Sequence, residues 1–186
     1  GCAIPTAFNT VFNTLKYTAK NNIIIFGTGG LGLACIFAAK KAGFKNIFAL
    51  DKIYKKLIVA KEFGANHIIH IKSNNHKKQL KKFENFFQNG IECTGNLGLM
   101  KDSLKTIKNF GGRLVIVGNY PFNAKVKLDP WNFIMGKVVS GAWINKFNYD
   151  DSFSNFYEKF IEFKWKKYFG NKIYNLNNIN HAINDF

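Results

Sequence analysis

Arginine is nearly missing from this chain. Of 27 basic residues among 186, only Arg113 is an arginine, set against 11 acidic residues for a formal net charge of +16. A basic surface attracts phosphate backbones, yet base readout and bidentate phosphate contact lean on the guanidinium fork. The charge therefore does not point to a nucleic-acid partner. Cysteine is scarce too: Cys2, Cys35 and Cys93 are an odd, widely spaced set with no CxxC pair, which excludes a disulfide scaffold and fits a reducing cytoplasm. No run approaches the roughly 20 apolar residues that span a bilayer. The opening "GCAIPTAFNT" lacks the charged head and long apolar middle of a secretion signal. No internal repeat, low-complexity tract or linker interrupts the sequence.

The expectation is a soluble, cytoplasmic protein of one domain, with 47% hydrophobic residues, ample for a buried core. Lysine, asparagine, isoleucine and phenylalanine are abundant together, a drift in overall residue usage. The densest basic stretch, "HKKQLKKF", alternates Lys77, Lys78, Lys81 and Lys82 with Leu80, Phe83 and Phe87, as the solvated face of an amphipathic helix does.

Strands and helices alternate along the chain. Residues 4–19 carry helical spacing (Phe8, Val11, Phe12, Leu15) with Pro5 in the first turn. A strand over 23–26, a glycine loop and a helix over 30–42 stopped by Gly43 follow. "NIFAL" reads as a strand, "YKKLIVAKEF" as a helix closed by Gly64, and "HIIHI" as a third strand. After the basic helix come a strand ending at "IECTG", a helix over 97–109, the strand "RLVIVG" and another near "KVVSGAW". The segment "DDSFSNFYEKFIEFKWKKYF" reads as a helix, "KIYNL" as a short strand, and a helix begins near Asn178. Strands separated by helices predict an α/β fold: a doubly wound, six-stranded parallel sheet with helices on both faces.

Gly27-Thr28-Gly29-Gly30-Leu31-Gly32 satisfies G-x-G-x-x-G after the first strand and at the mouth of the next helix, where a Rossmann dinucleotide fingerprint sits. Gly27 permits the tight turn, Gly29 removes the side chain that would block a pyrophosphate, and Gly32 lets helix and strand pack closely. The helix aims free N–H groups at the phosphates. Asp51 lies about 20 residues on, at the end of the second strand, where a carboxylate accepts hydrogen bonds from the ribose and repels a 2′-phosphate. That predicts NAD over NADP, a preference softened by Lys52, Lys55 and Lys56.

The stretches "GCAIPTAF", "FGTGGLGLACIFAAKKAG", "LDKIYKKLIVAKEFGANHIIH", "IECTG", "GGRLVIVG" and "GKVVSGAW", in that order and spacing, resemble the zinc-type alcohol dehydrogenases of the medium-chain dehydrogenase/reductase family. The resemblance runs along nearly all of the chain. It implies that residues 1–186 are the cofactor-binding half, without the β-rich, GroES-like catalytic half that precedes it in the family and without its final strand, as in a fragment or a split gene product. It implies that Cys2 is one ligand of the catalytic zinc. Thr6 then packs on the nicotinamide and Leu31 stands behind that ring. Asp51 and Lys56 face the ribose, while Cys93 and Thr94 line the adenosine-side passage. Val117, with Gly118 beside it, Ala142 and Ile144 hold the carboxamide. Gly27, Gly29, Gly30 and Gly32 complete the cofactor set.

Implied as well are hydride transfer between NAD and a small alcohol or carbonyl substrate, and a homodimer or tetramer paired through the "KVVSGAW" edge. A zinc-independent NADPH reductase of the quinone or enoyl type, or a binding module with its chemistry lost, are the rival readings. The sequence departs from the family pattern in places. "FENFFQNGIECTG" shows no clear acidic residue inside the fourth strand, Tyr120 precedes Pro121 where the family often has a second proline, and "WINKF" lacks the glycines common there. His67 and His70, three apart on a strand, face opposite sides and do not form a metal pair.

Overall fold

The structure is a computed structural model that describes residues 2–15, 21–71, 76–143, 158 and 172–185. The chain divides into two compact units, residues 1–148 and 149–186. In the first, six strands, β1 (Asn22–Phe26), β2 (Asn46–Asp51), β3 (His67–His70), β4 (Asn89–Glu92), β5 (Arg113–Ile116) and β6 (Val138–Gly141), form one sheet. Its order is β3-β2-β1-β4-β5-β6, and every pairing is parallel. Among the described residues of this unit, six α-helices accompany the sheet: α1 (Ala3–Phe8), α2 (Gly30–Lys41), α3 (Tyr54–Phe63), α4 (His76–Lys81), α5 (Leu97–Thr106) and the short α6 (Trp131–Ile134).

The sheet is parallel because each strand is followed by a crossover, and a parallel strand covered on both faces reads as a continuous apolar run. β1 is such a run, with Ile23, Ile24, Ile25 and Phe26 all wholly buried. Alternate residues serve opposite faces. Ile24 and Phe26 join Leu50, Ile71, Leu80, Phe87, Leu99, Leu104, Ile107 and Leu114 in one core cluster. Ile25 faces the other way, toward Gly32 of α2. α2 packs on α1 and α3, whereas α4 packs on α5, and right-handed crossovers set these groups on opposite faces. The expected doubly wound architecture is thus observed. Among the described residues no helix is long and apolar enough to cross a membrane.

Several expectations shift in detail. The helix over 4–19 is an α-helix only to Phe8 and continues as a π-helix over Asn9–Thr14, with residues 16–20 outside the described set. Hydroxyls widen the turn: Thr10 Oγ1 donates to the Thr6 carbonyl (2.7 Å), Thr14 Oγ1 to the Asn9 carbonyl (3.2 Å), and the Leu15 N–H reaches back to Thr10 (2.9 Å). The helix expected over 97–109 ends at Thr106, because Ile107 turns extended and bridges Phe87.

Lys137, only 6% exposed, donates its Nζ to the Leu104 carbonyl near that helix end (3.1 Å). Burial lowers the affinity of this amine for its proton, partly offset by Glu84. "KIYNL" is not a strand: residues 172–175 are irregular and lead into a 3₁₀ turn, Leu176–Asn178, and α7 (Ile179–Asp185). Side chains fasten this segment instead of a ladder, with Lys172 Nζ 2.7 Å from Asp185 Oδ2 and the Tyr174 hydroxyl donating to the same oxygen. The helix read from "DDSFSNFYEKFIEFKWKKYF" lies almost wholly outside the described residues.

The basic helix α4 behaves as its pattern predicts, with Lys77, Lys78, Lys81 and Lys82 exposed and Leu80 and Phe87 buried. Phe87 is the hub, its ring 4.9 Å from Phe48, 5.5 Å from Phe83 and 5.0 Å from Phe86. Phe87→Ala should therefore lower unfolding stability by about 3–5 kcal/mol in urea titrations. Phe86→Ala, at a ring 40% exposed, should cost much less.

Candidate functional site

The strand order reverses between β1 and β4, so the loops leaving their C-terminal ends part and open a crevice at the switch point. A cavity of about 510 Å³ occupies it, lined by Gly27, Gly29, Asp51, Lys56, Cys93 and Thr94 among others. The fold thus gathers six of the expected cofactor residues around one space. Leu50, Ile53, Ile71 and Leu99 supply apolar walls.

The glycine loop has two different demands on it. Gly27 adopts φ +89°, and a Cβ on Gly32 would stand 1.9 Å from the Gly27 carbonyl oxygen. The fold itself therefore requires Gly32. Among the described residues, a Cβ on Gly29, by contrast, would meet no heavy atom within 4 Å beyond its chain neighbours. No described residue needs that position bare, which leaves room there for a ligand. Gly29 is also the N-cap of α2 and offers no side-chain cap, so first-turn N–H groups lack an intrahelical partner.

Two carboxylates flank β1 in matching fashion. On β2, Asp51 Oδ2 accepts both the Thr28 N–H (2.7 Å) and the Thr28 hydroxyl (2.8 Å), while Oδ1 accepts the Ile53 N–H (2.9 Å). Burial works against the charge on Asp51. The Thr28 and Ile53 donors together with Lys56 outweigh it and hold the carboxyl below its ordinary range. On β4, wholly buried Glu92 accepts the Thr94 N–H (2.8 Å) and Thr94 hydroxyl on Oε1. Its Oε2 accepts the Tyr120 hydroxyl and, more distantly, the Gly95 N–H (3.4 Å).

Glu92 corrects the reading of "FENFFQNGIECTG": the fourth strand does carry an acid, paired in register with Phe26 and Ile116. Its partner Tyr120 stands where a second proline was expected. Burial, reinforced by Glu92, pushes the Tyr120 hydroxyl far up, so it stays a donor. The sequence signal for this network was present in E-x-T-G followed by a tyrosine, but only the pairing of β4 with β5 brings the tyrosine to the acid.

Other expected residues lie apart. Ala142 lines a separate cavity of about 670 Å³ with Asn9, Asn13 and Trp143, where Asn9 Nδ2 donates to the Trp143 carbonyl (2.9 Å). Thr6 is on α1, and Gly30, Leu31 and Gly32 are in the first turn of α2. The N–H groups of Val117 and Gly118 donate to the Glu92 carbonyl (2.9 Å each) and that of Ala142 to Ile116 (3.4 Å). Ile144 lies outside the described residues. Cys93 contacts Cys35, and that hydrogen bond together with burial pushes its thiol well up, which keeps it from acting as a thiolate at neutral pH.

Cys2 is exposed. Among the described residues no three His, Cys, Asp or Glu side chains gather to hold a metal ion. His67 stacks on Phe48, and His70 Nε2 meets the Lys52 carbonyl. Missed at the sequence level was His76, which lines the cavity with its Nε2 3.1 Å from buried Asp102. No spacing rule links those two positions.

A family model described as zinc-binding dehydrogenase matches residues 30–163. The chain is 30% identical over 190 aligned positions to an alcohol dehydrogenase class-3 of Oryza sativa subsp. japonica, a match covering 98% of this chain and 49% of that one. It is likewise 30% identical over 147 positions to an S-(hydroxymethyl)glutathione dehydrogenase of Photobacterium damsela subsp. piscicida, covering 76% and 39% respectively. Its fold is similar to the crystal structure of benzyl alcohol dehydrogenase from Acinetobacter calcoaceticus. There the TM-score is 0.83 at 25% identity, over 100% of this chain and 51% of the other. The chain spans about half the length of these relatives or less.

The two glycines should separate in experiment. Gly32→Ala should lose several kcal/mol of unfolding stability, since backbone must move to admit the Cβ, whereas Gly29→Ala should melt within about 2 °C of the parent. A titration follows from Asp51. Its folded pKa lies below the unfolded value of about 3.9, so its contribution is present above that pH and is lost as pH falls through the folded value. Asp51→Asn should flatten the acid limb of stability below about pH 4 in urea unfolding at stepped pH.

Proposed function

Because the chain belongs to the zinc-binding dehydrogenase family, we propose that it is the dinucleotide-binding half of an alcohol dehydrogenase-like oxidoreductase. The proposed reaction passes a hydride between a small alcohol or carbonyl compound and NAD. The observation that carries this reading is the meeting of Asp51 and the open Gly29 on one cavity at the strand ends. The space left at Gly29 fits a pyrophosphate, which the uncapped first turn of α2 would hold by backbone N–H groups. Asp51 would take a ribose hydroxyl, with Lys56 beside it, and Leu50, Ile53, Ile71 and Leu99 would cover the adenine. Thr6, Leu31, Val117, Gly118, Ala142 and Ile144 are proposed for the nicotinamide end.

Bound NAD supplies the hydride acceptor. What this chain contributes is its orientation and the exclusion of water from one face. The preference for NAD over NADP rests on charge: Asp51 is held ionised and would repel a 2′-phosphate. The sole arginine, Arg113, begins β5 at the opposite end of the sheet. Zinc does not fit the described residues by themselves, since Cys2 offers a single thiolate and a catalytic site takes three protein ligands. Cys2 is proposed as one ligand of a set completed from outside this chain.

Edge strand β6 supports pairing into a homodimer or tetramer. The free thiols Cys2, Cys35 and Cys93 suit a reducing compartment such as the cytoplasm.

Calorimetric titration of the full chain should give NAD binding at least about tenfold tighter than NADP. Asp51→Ala should weaken NAD and erase that difference. Equal affinity for the two dinucleotides in the folded parent would remove the NAD assignment. Alcohol oxidation by a chain of this length unaided would overturn the division of labour.

A further inference from the structure

We propose that the outer layer formed by α4 and α5 is a docking face for an anionic phospholipid surface, on which the chain adsorbs by charge alone. This role is independent of any dinucleotide in the crevice.

Every exposed residue of α4 is a lysine: Lys77, Lys78 and Lys81, with exposed Lys82 directly after them. On α5 the exposed residues are Gly98, Lys101 and Lys105, and exposed Lys108 follows its end. The two helices pack on each other on one face of the sheet, and Lys77 and Lys81 meet Lys105 around a shared cavity of about 350 Å³. Two acids border that cavity. Asp102 is 4% exposed and already held by His76 (3.1 Å) and Lys105 (3.5 Å), which leaves Glu84 as the exposed one. Among the described residues of this layer, seven lysines thus face solvent against one exposed carboxylate.

The fold does not need this charge. Leu80, Leu99 and Leu104 fasten the layer to the apolar core, whereas Lys77 with Lys81 and Lys101 with Lys105 are like charges four apart, which weakens a helix. The chemistry of the face selects its partner. Protein interfaces are rich in arginine and aromatic side chains and poor in lysine, and nucleic acid is gripped by the guanidinium fork or by stacked rings. Neither α4 nor α5 carries an arginine, phenylalanine, tyrosine or tryptophan. Phe83 and Phe86, just beyond α4, turn their rings to Phe87 at 5.5 and 5.0 Å. A negative lipid surface asks only for clustered cationic charge, and each lysine near it strengthens binding by about fivefold. With every apolar side chain of both helices buried or half-buried, nothing inserts, so adsorption is reversible and falls steeply with salt.

The test is co-sedimentation of the full chain with phosphatidylcholine vesicles that either lack or contain about 30% phosphatidylserine, at about 0.05 M salt and again at about 0.5 M. Expected is binding to the anionic vesicles alone, with at least about a tenfold loss at the higher salt. Lys77→Gln, Lys81→Gln and Lys105→Gln together should weaken it by about a hundredfold. The same change of charge on the helices of the other face, Lys41→Gln, Lys55→Gln and Lys61→Gln on α2 and α3, should cost less than about fivefold.

Equal losses from the two triple variants overturn the proposal, because they mean attraction by net charge without a face. So does failure to bind the anionic vesicles, equal binding to both kinds of vesicle, or binding that survives the higher salt. Displacement of the chain from the vesicles by an oligoglutamate peptide, or by a single-stranded RNA, at equal concentration of negative charge overturns it in favour of an acidic polypeptide or a nucleic acid. Should the first triple variant fail to fold by circular dichroism, Lys78→Gln with Lys82→Gln decides, with an expected loss of about twentyfold.

Discussion

Everything at the strand ends depends on how closely α2 approaches β1. The helix begins against the Gly27 carbonyl at a distance no side chain would permit, since a Cβ at position 32 would stand 1.9 Å from that oxygen. With α2 drawn in, its first turn opens onto the crevice and Thr28 is delivered to Asp51. Were the helix pushed out by the width of a methyl group, the loop would lose both its turn and its contact with β2. The site is therefore a by-product of one packing distance, set by the absence of an atom.

Around that contact the chain arranges its charges conservatively. Lysines crowd the exposed face of α4 and the start of α3, where their charge is solvated. Half-buried Asp51 and wholly buried Glu92 are surrounded by donors from the chain itself. Burying a carboxylate is costly unless such donors are supplied. Threonine supplies them twice, each time offering both its N–H and its hydroxyl to a single oxygen.

The fold was largely legible in the sequence because its signals are local. The apolar run of β1, the glycine loop and Gly64 closing α3 each declare themselves within a few residues. Asp51 was legible for the same reason, its distance from the loop being fixed by one helix and one strand. Less legible was whatever depends on distant pairing. Glu92 and Tyr120 meet only because β4 lies beside β5, and His76 reaches Asp102 across two helices. The π-helix was hidden by a spacing that suits an α-helix equally well, and hydroxyls at Thr10 and Thr14 decided between them. "KIYNL" shows the limit of alternation as a guide, since a strand needs a neighbour to pair with as well as a pattern.

The paired threonine clamps have one more implication. Both walls of the crevice are already fastened to the sheet by hydrogen bonds that involve no ligand, so an arriving molecule finds its seat assembled. Little conformational freedom is left there to be surrendered on docking, and recognition in such a groove depends on shape and charge met in advance. Under the proposed function, the shape that a dinucleotide would meet is thereby settled during folding.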